Sequence, residues 1–98
     1  MPDLGFLEFK NQALAEGFDE VLERVWPPDA LVPVHIHPFS LRALVVQGEM
    51  WLTIGDRTQH LVPGKAFELG FNEPHAERYG VNGATYWVAR RNQESPSP

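Results

Sequence analysis

From residue 19 to residue 90 the chain is a series of short apolar runs, many alternating with polar residues, broken by glycine, proline and asparagine. Alternation with period two marks a half-buried strand, and Gly, Pro and Asn supply the turns between strands. The pattern predicts strands over 19–26, 31–37, 41–47, 50–54, 57–62, 66–69, 75–80 and 84–90. Turns are expected at PPDA (27–30), Gly48-Glu49, PGK (63–65) and VNGA (81–84), and Gly55-Asp56 is a hairpin signal. Leu14, Phe18, Val21, Leu22 and Val25 would also fit one helix face. Gly17 interrupts that face, however, and the run DEVLERVW ends in Pro27-Pro28 as a strand ends in a turn, so 19–26 is assigned as strand. LGFLEF (4–9) fits a strand or a packed arm, and KNQALAEGF (10–18) a short helical turn stopped by Gly17. Short strands joined by tight turns predict an all-β fold, a sandwich or barrel, with at most one short N-terminal helix. The expected division is an arm and short helix over 1–17, a barrel over 18–91 and a polar, Pro/Ser-rich disordered tail over 92–98.

A chain of 98 residues makes one small domain, and its size makes pairing with a second copy plausible. The apolar N-terminal stretch 4–9 is a candidate to extend a neighbour's sheet, which predicts a homodimer. The net charge is −5 and the eight Lys and Arg are dispersed, which argues against a nucleic-acid or anionic-membrane partner. No apolar run reaches membrane-spanning length, and the start lacks the basic segment of a signal peptide, so a cytoplasmic protein is expected. There is no cysteine, so any metal must be held by His, Asp or Glu.

One stretch carries candidate chemistry. In LVPVHIHPFS (31–40), His35 and His37 stand one residue apart in a run that reads as strand, and residues i and i+2 of a strand share a face. Such a pair can clamp a metal, or can simply hydrogen-bond to backbone and solvent. NEPHAERY (72–79) adds His75 at the start of another strand, with Pro74 fixing the chain before it. Three neutral imidazoles converging inside a barrel would hold a divalent first-row metal and leave positions open for a small molecule.

With these residues in place, Pro28 to Tyr79 resembles a small single-domain cupin, a jelly-roll β-barrel with one metal site. The family's first motif runs G-x5-H-x-H-x3,4-E-x6-G. Here Asp29 stands at its first Gly, followed by His35, His37 and Gly48 at the matching distances. The second motif runs G-x5-P-x-G-x2-H-x3-N. Here Gly64 opens it and His75 falls at the matching spacing, with Gly70 for Pro, Asn72 for Gly and Tyr79 for Asn. Asn72 and Asp29 are mild departures, since Asn tolerates positive φ and Asp29 lies in a turn. The glutamate position is not a mild departure: Leu41, four residues after His37, cannot bind metal.

The resemblance therefore implies His35, His37 and His75 as ligands of one divalent metal ion per chain (Fe, Ni, Zn, Mn or Cu), without the family's carboxylate. Among cupins, three-His iron sites occur in thiol dioxygenases and β-diketone-cleaving dioxygenases. That implies a metal-dependent, dioxygenase-like enzyme acting on a small acidic or dicarbonyl compound. Two rival readings are a non-catalytic small-ligand sensor and a metal-free barrel. Glu77, two residues after His75 and on the same strand face, is a candidate catalytic residue as a distant ligand, a supporting partner or a general base. Tyr79, on that face again, could donate to a bound substrate. Arg24, Arg42 and Arg78 are candidates to hold a carboxylate at the rim. His60, outside both motifs, reads as a surface histidine, and Trp26, Trp51 and Trp87 as core or dimer contacts.

Overall fold

The computed structural model of the chain describes residues 3–92. In chain order the elements are α1 (Asp3–Ala15), β1 (Glu20–Trp26), β2 (Leu31–His35), β3 (Ser40–Ile54), β4 (Arg57–Leu61), β5 (Ala66–Leu69) and β6 (His75–Arg91). All pairings are antiparallel. The long strands β3 and β6 pair with each other along nearly their whole length and belong to two layers at once. Residues 40–48 of β3 and 84–91 of β6 lie between β5 and β1. Residues 50–54 of β3 and 75–79 of β6 lie between β4 and β2. The result is all-β with one helix among the described residues, as the sequence pattern predicts, in the jelly-roll arrangement that the resemblance implies. Among the described residues no helix is long and apolar enough to cross a membrane.

The turns expected at 48–49 and 81–84 are instead bulges inside continuous strands. The β3–β6 register shifts between Val45 and Gln47 and again between Gly48 and Met50. Gly48 (φ 76°) and Gly83 (φ 70°) both have left-handed backbones here. They meet so closely that a Cβ on Gly48 would lie 2.1 Å from the Gly83 carbonyl oxygen, and one on Gly83 would lie 2.2 Å from the Trp26 carbonyl oxygen. Glycine marks a turn in sequence, but it equally permits a bulge where two backbones touch. The bulges also switch which residues face inward. On β3 the inward set passes from Ala43 and Val45 to Met50 and Leu52; on β6 it passes from His75 and Tyr79 to Ala84, Tyr86 and Val88. The apolar members of this set, with Leu61, Phe67 and Leu69, form the core between the layers.

The segment 4–9 is helical, which corrects the strand-or-arm expectation. Phe6, Phe9 and Ala13 recur at helical spacing on the inner side of α1. Phe6 meets Trp87 edge-on at 5.5 Å and Phe9 meets it at 6.0 Å. Gly17 stops the helix as expected. At φ 97° it allows the Gly17 N–H to reach the Leu14 carbonyl and the Phe18 N–H to reach the Ala13 carbonyl, a Schellman ending sealed by contact between Ala13 and Phe18. The apolar arm is thus folded onto its own barrel as a helix and is not available as an added strand, which removes that route to a homodimer. The tail expected over 92–98 lies, from residue 93 on, outside the described residues.

Gly48→Ala should cost roughly 3 kcal/mol or more, because left-handed strain adds to a backbone clash. Gly55→Ala, also at positive φ but with nothing within 4 Å of its Cβ position, should cost only about 1 to 2 kcal/mol. Urea unfolding of the two variants beside the parent measures the difference.

Candidate metal centre

His75 opens β6 directly opposite His35, which closes β2. The register shifts between Val32 and His35, so β2 is bent just where its histidine must turn inward. His37 lies two residues beyond the strand end. The Asn72 N–H donates to its carbonyl at 2.9 Å and ties its loop to the turn before β6. Asn72 (φ 54°) and Asp29 (φ 59°) both adopt left-handed conformations at positions where the family motifs carry glycine. The two substitutions therefore keep the backbone shape that the motif requires.

The three imidazoles come together. One ring nitrogen from each of His35, His37 and His75 lies within 4.8 Å of the others. Backbone contacts set the ring orientations. His35 Nδ1 donates to the Pro33 carbonyl and His75 Nδ1 to the Glu73 carbonyl, each at 2.8 Å. A carbonyl only accepts, so in each ring the proton is on Nδ1 and the neutral ring presents Nε2 as a bare lone pair. His37 is held by a parallel stack on Phe39 at 4.4 Å.

A carboxylate stands beside the cluster although Leu41 offers none: it belongs to Glu77. Its side chain is 8% exposed, its Oε2 lies 3.2 Å from His75 Nε2 and 3.8 Å from His35 Nε2, and the Tyr79 hydroxyl donates to its Oε1. The fully buried His75 Nε2 makes no hydrogen bond of acceptable alignment despite that short approach to Glu77. A lone pair facing a carboxylate is repulsive unless a cation lies between them, either a proton or a metal ion. This orphaned atom is the observation that fits the residues to a metal.

Electrostatics follow the same division. Burial pushes His37 down to about 4, helped by its two histidine neighbours. Burial also disfavours charge on His75, but the Glu77 carboxylate and the Glu73 carbonyl outweigh it and raise its pKa above the ordinary 6.5. Glu77 is pulled below the usual carboxylate range: burial opposes this, and contacts from His75 and Tyr79 overcome it. Burial, with the neighbouring Tyr86 and Glu77, raises Tyr79, which stays a neutral donor.

A cavity of about 140 Å³ opens onto this cluster, lined by His35, His37 and Glu77 together with Arg24, Trp26, Phe39, Leu41, Tyr86, Val88 and Arg90. Leu41 does face the site, as its place in the motif requires. Of the arginines singled out in the sequence, only Arg24 reaches the cavity. Arg42 pairs with Glu16, and Arg78 lies over Trp51 at 3.9 Å. His60 is not part of the cluster; it pairs with Glu49 at 2.6 Å and stacks on Trp51. Trp26 is a wall of the site as well as a core residue, stacked on Tyr79 at 5.0 Å with its N–H on the Tyr86 hydroxyl. Arg90 was not anticipated, although its alternation with Tyr86 and Val88 on the inward side of β6 would have found it.

No family model matches the chain. An RmlC-like cupin from Shewanella frigidimarina superposes with a TM-score of 0.63 at 20% identity, covering 76% of this chain and 67% of the other. The chain has the cupin jelly-roll fold. Other cupin-fold neighbours are the polyketide cyclase RemF from Streptomyces resistomycificus (TM-score 0.64, 26% identity, 85% of this chain and 62% of that one) and a chain from the DMSP lyases RdDddP and RnDddQII (0.67, 24%, 72% and 37%). In sequence, 39 residues are 44% identical to an uncharacterized HTH-type transcriptional regulator of Haemophilus influenzae. The match covers 40% of this chain and 13% of the regulator's length.

In the metal-free protein, the His75 pKa should lie above 6.5, and Glu77→Gln should lower it by removing the carboxylate that favours the imidazolium. NMR titration of the histidine ring signals reads both values, and an unchanged His75 in the variant would contradict the assigned contact.

Proposed function

We propose that this cupin binds one divalent metal ion per chain through His35, His37 and His75 and acts on a small acidic or dicarbonyl compound in the adjoining cavity. The observation that supports this most is the buried Nε2 of His75, a lone pair with a fixed tautomer that faces a carboxylate and has no donor. A bound metal would supply Lewis acidity at the open end of the site and, if it were iron, the O₂ activation of a dioxygenase. Glu77 is the residue assigned to hold or move a proton at its Oε2, or to complete the donor set in place of the family glutamate. Tyr79 positions Glu77 by donating to its other oxygen and remains protonated. Phe39, Leu41 and Val88 limit water in the cavity, which strengthens every charge interaction inside it.

A second reading is favoured by one observation. The segment shared with a transcriptional regulator suits a barrel that binds a small ligand as a sensor, without turnover. Both readings use the same site. Both also accommodate a cytoplasmic homodimer, for which the exposed Leu31, Val34 and Ile36 on and just after edge strand β2 offer an apolar surface. Light scattering at micromolar concentration tests the dimer, with about twice the 11.1 kDa chain mass expected.

Protein purified without a His-tag should contain, or take up from Fe²⁺, Ni²⁺ or Zn²⁺, about one metal per chain by elemental analysis. His75→Ala should lose most of that metal and His60→Ala little of it. Affinity should fall as pH is lowered, starting above pH 6.5, because the proton that metal must displace sits on a His75 with a raised pKa. No uptake of any of the three metals by a folded protein would falsify the metal reading, and O₂ uptake on a panel of diketones and thiols separates enzyme from sensor.

A further inference from the structure

The cavity beside the histidines is also lined by two arginines, and nothing in the proposed chemistry so far uses them. Arg24 sits on the inward side of β1 and Arg90 on the inward side of β6. Each guanidinium is braced by an aromatic ring, Arg24 over Trp26 at 5.0 Å and Arg90 over Phe39 at 4.5 Å. Phe39 is the ring on which His37 stacks, so one side chain orients both a candidate ligand and a cation. Neither charge is well matched by the protein. Among the described residues no carboxylate lies within ion-pair distance of Arg24. Arg90 reaches Glu20 only at 4.0 Å, and its Nε is buried without an acceptor.

Two part-exposed guanidiniums lining a small cavity without a close carboxylate partner favour an anion there. The one acidic group lining that cavity, Glu77, is already engaged by Tyr79 and His75. It also offsets the charge of any metal there, so the pull on an anionic ligand falls mainly to the arginines.

We propose that Arg24 and Arg90 form a carboxylate-binding wall in this cavity, so that the ligand is a small carboxylic acid held by that group while a second oxygen-bearing group faces the histidines. The proposal rests on the reading of the cavity as the ligand site. Arginine suits the task because its planar fork matches a carboxylate with two parallel hydrogen bonds. A cavity of about 140 Å³ holds roughly the volume of four or five water molecules, which limits the ligand to a compact acid.

The probe is malonate, with uncharged malonamide as its neutral counterpart, titrated first into metal-free protein and then into Zn²⁺-loaded protein at constant ionic strength. Calorimetry gives affinity, and the Arg90 Nε–H signal in NMR reports the location. Malonate should bind the metal-free protein and shift that signal, and malonamide should do neither. Arg90→Gln and Arg24→Gln should each weaken malonate binding by roughly tenfold or more, while Arg57→Gln, which removes an equal charge on the exposed β4 hairpin, should not. Arg90→Lys should recover only part of the loss, since it restores charge but not the fork. Metal content should be unchanged in the arginine variants. Equal malonate binding by the parent, Arg90→Gln and Arg24→Gln overturns the proposal, as does failure of the parent to bind malonate in both forms. A protein that takes up no metal yet loses malonate on Arg90→Gln refutes the metal reading and leaves the arginine wall standing. Should Arg90→Gln fail to fold, Arg24→Gln and Arg90→Lys decide the matter alone.

Discussion

The ladder between β3 and β6 is the constraint on which the rest of the barrel depends. Both strands are shared by the two layers, so every inward residue of the core is placed by their common register. That register survives the passage from one layer to the other because Gly48 and Gly83 bend the two strands at one place, with backbone against backbone. A side chain at either position would force the strands apart where the layers must hinge. On β6 the bend separates His75, Glu77 and Tyr79 from Tyr86, Val88 and Arg90, and it turns both groups toward the same interior. The site is thus assembled largely from the two arms of one bent strand, closed by β2 and the loop that follows it.

Within the site a second constraint follows from hydrogen bonds that a carbonyl can only accept. The Pro33 and Glu73 carbonyls fix the protons of His35 and His75 on the outer ring nitrogens, so the inner nitrogens present lone pairs. Glu77 adds a negative charge within 4 Å of two of them. These inner acceptors face one another with no donor between them, and a proton or a metal ion placed there removes the repulsion. The aromatic residues serve the same arrangement. Phe39 holds His37, Tyr79 holds Glu77, and Trp26 packs behind Tyr79.

Much of this was legible in the sequence because its signals are short-range. Alternation located the strands, Gly17 marked the end of the helix, and the spacing of His35, His37 and His75 survives translation into three dimensions because each lies beside a turn with a fixed backbone. Asp29 and Asn72 were readable as stand-ins for glycine for the same reason. What escaped depended on tertiary contact. LGFLEF is too short to show its period, and Leu7 on its outer face is half-exposed, so the amphipathic signal is blunted until Trp87 is seen to cover Phe6 and Phe9. Gly48 and Gly83 signal a break in regular structure, but only the facing strand distinguishes a bulge from a turn. Arg90 alternates with Tyr86 and Val88, so its facing was legible, but a terminal arginine on a strand is ordinarily solvated and only the folded cavity sets it apart. Glu77 could be nominated by parity, whereas its grip by Tyr79 required the fold.

The bend in β6 also bears on how this domain can change over time. The strand behaves as a reading frame with a single shift built into it between Tyr79 and Ala84. Losing or gaining one residue in that stretch would leave most ladder hydrogen bonds able to re-form, yet it would exchange inside for outside along one arm. Either the histidine and its glutamate or the arginine would then face solvent. Substitutions along β6 can accumulate singly, but insertions and deletions there are tolerated only in compensating pairs, so lineages of this barrel should vary in length in their hairpins and keep this strand constant.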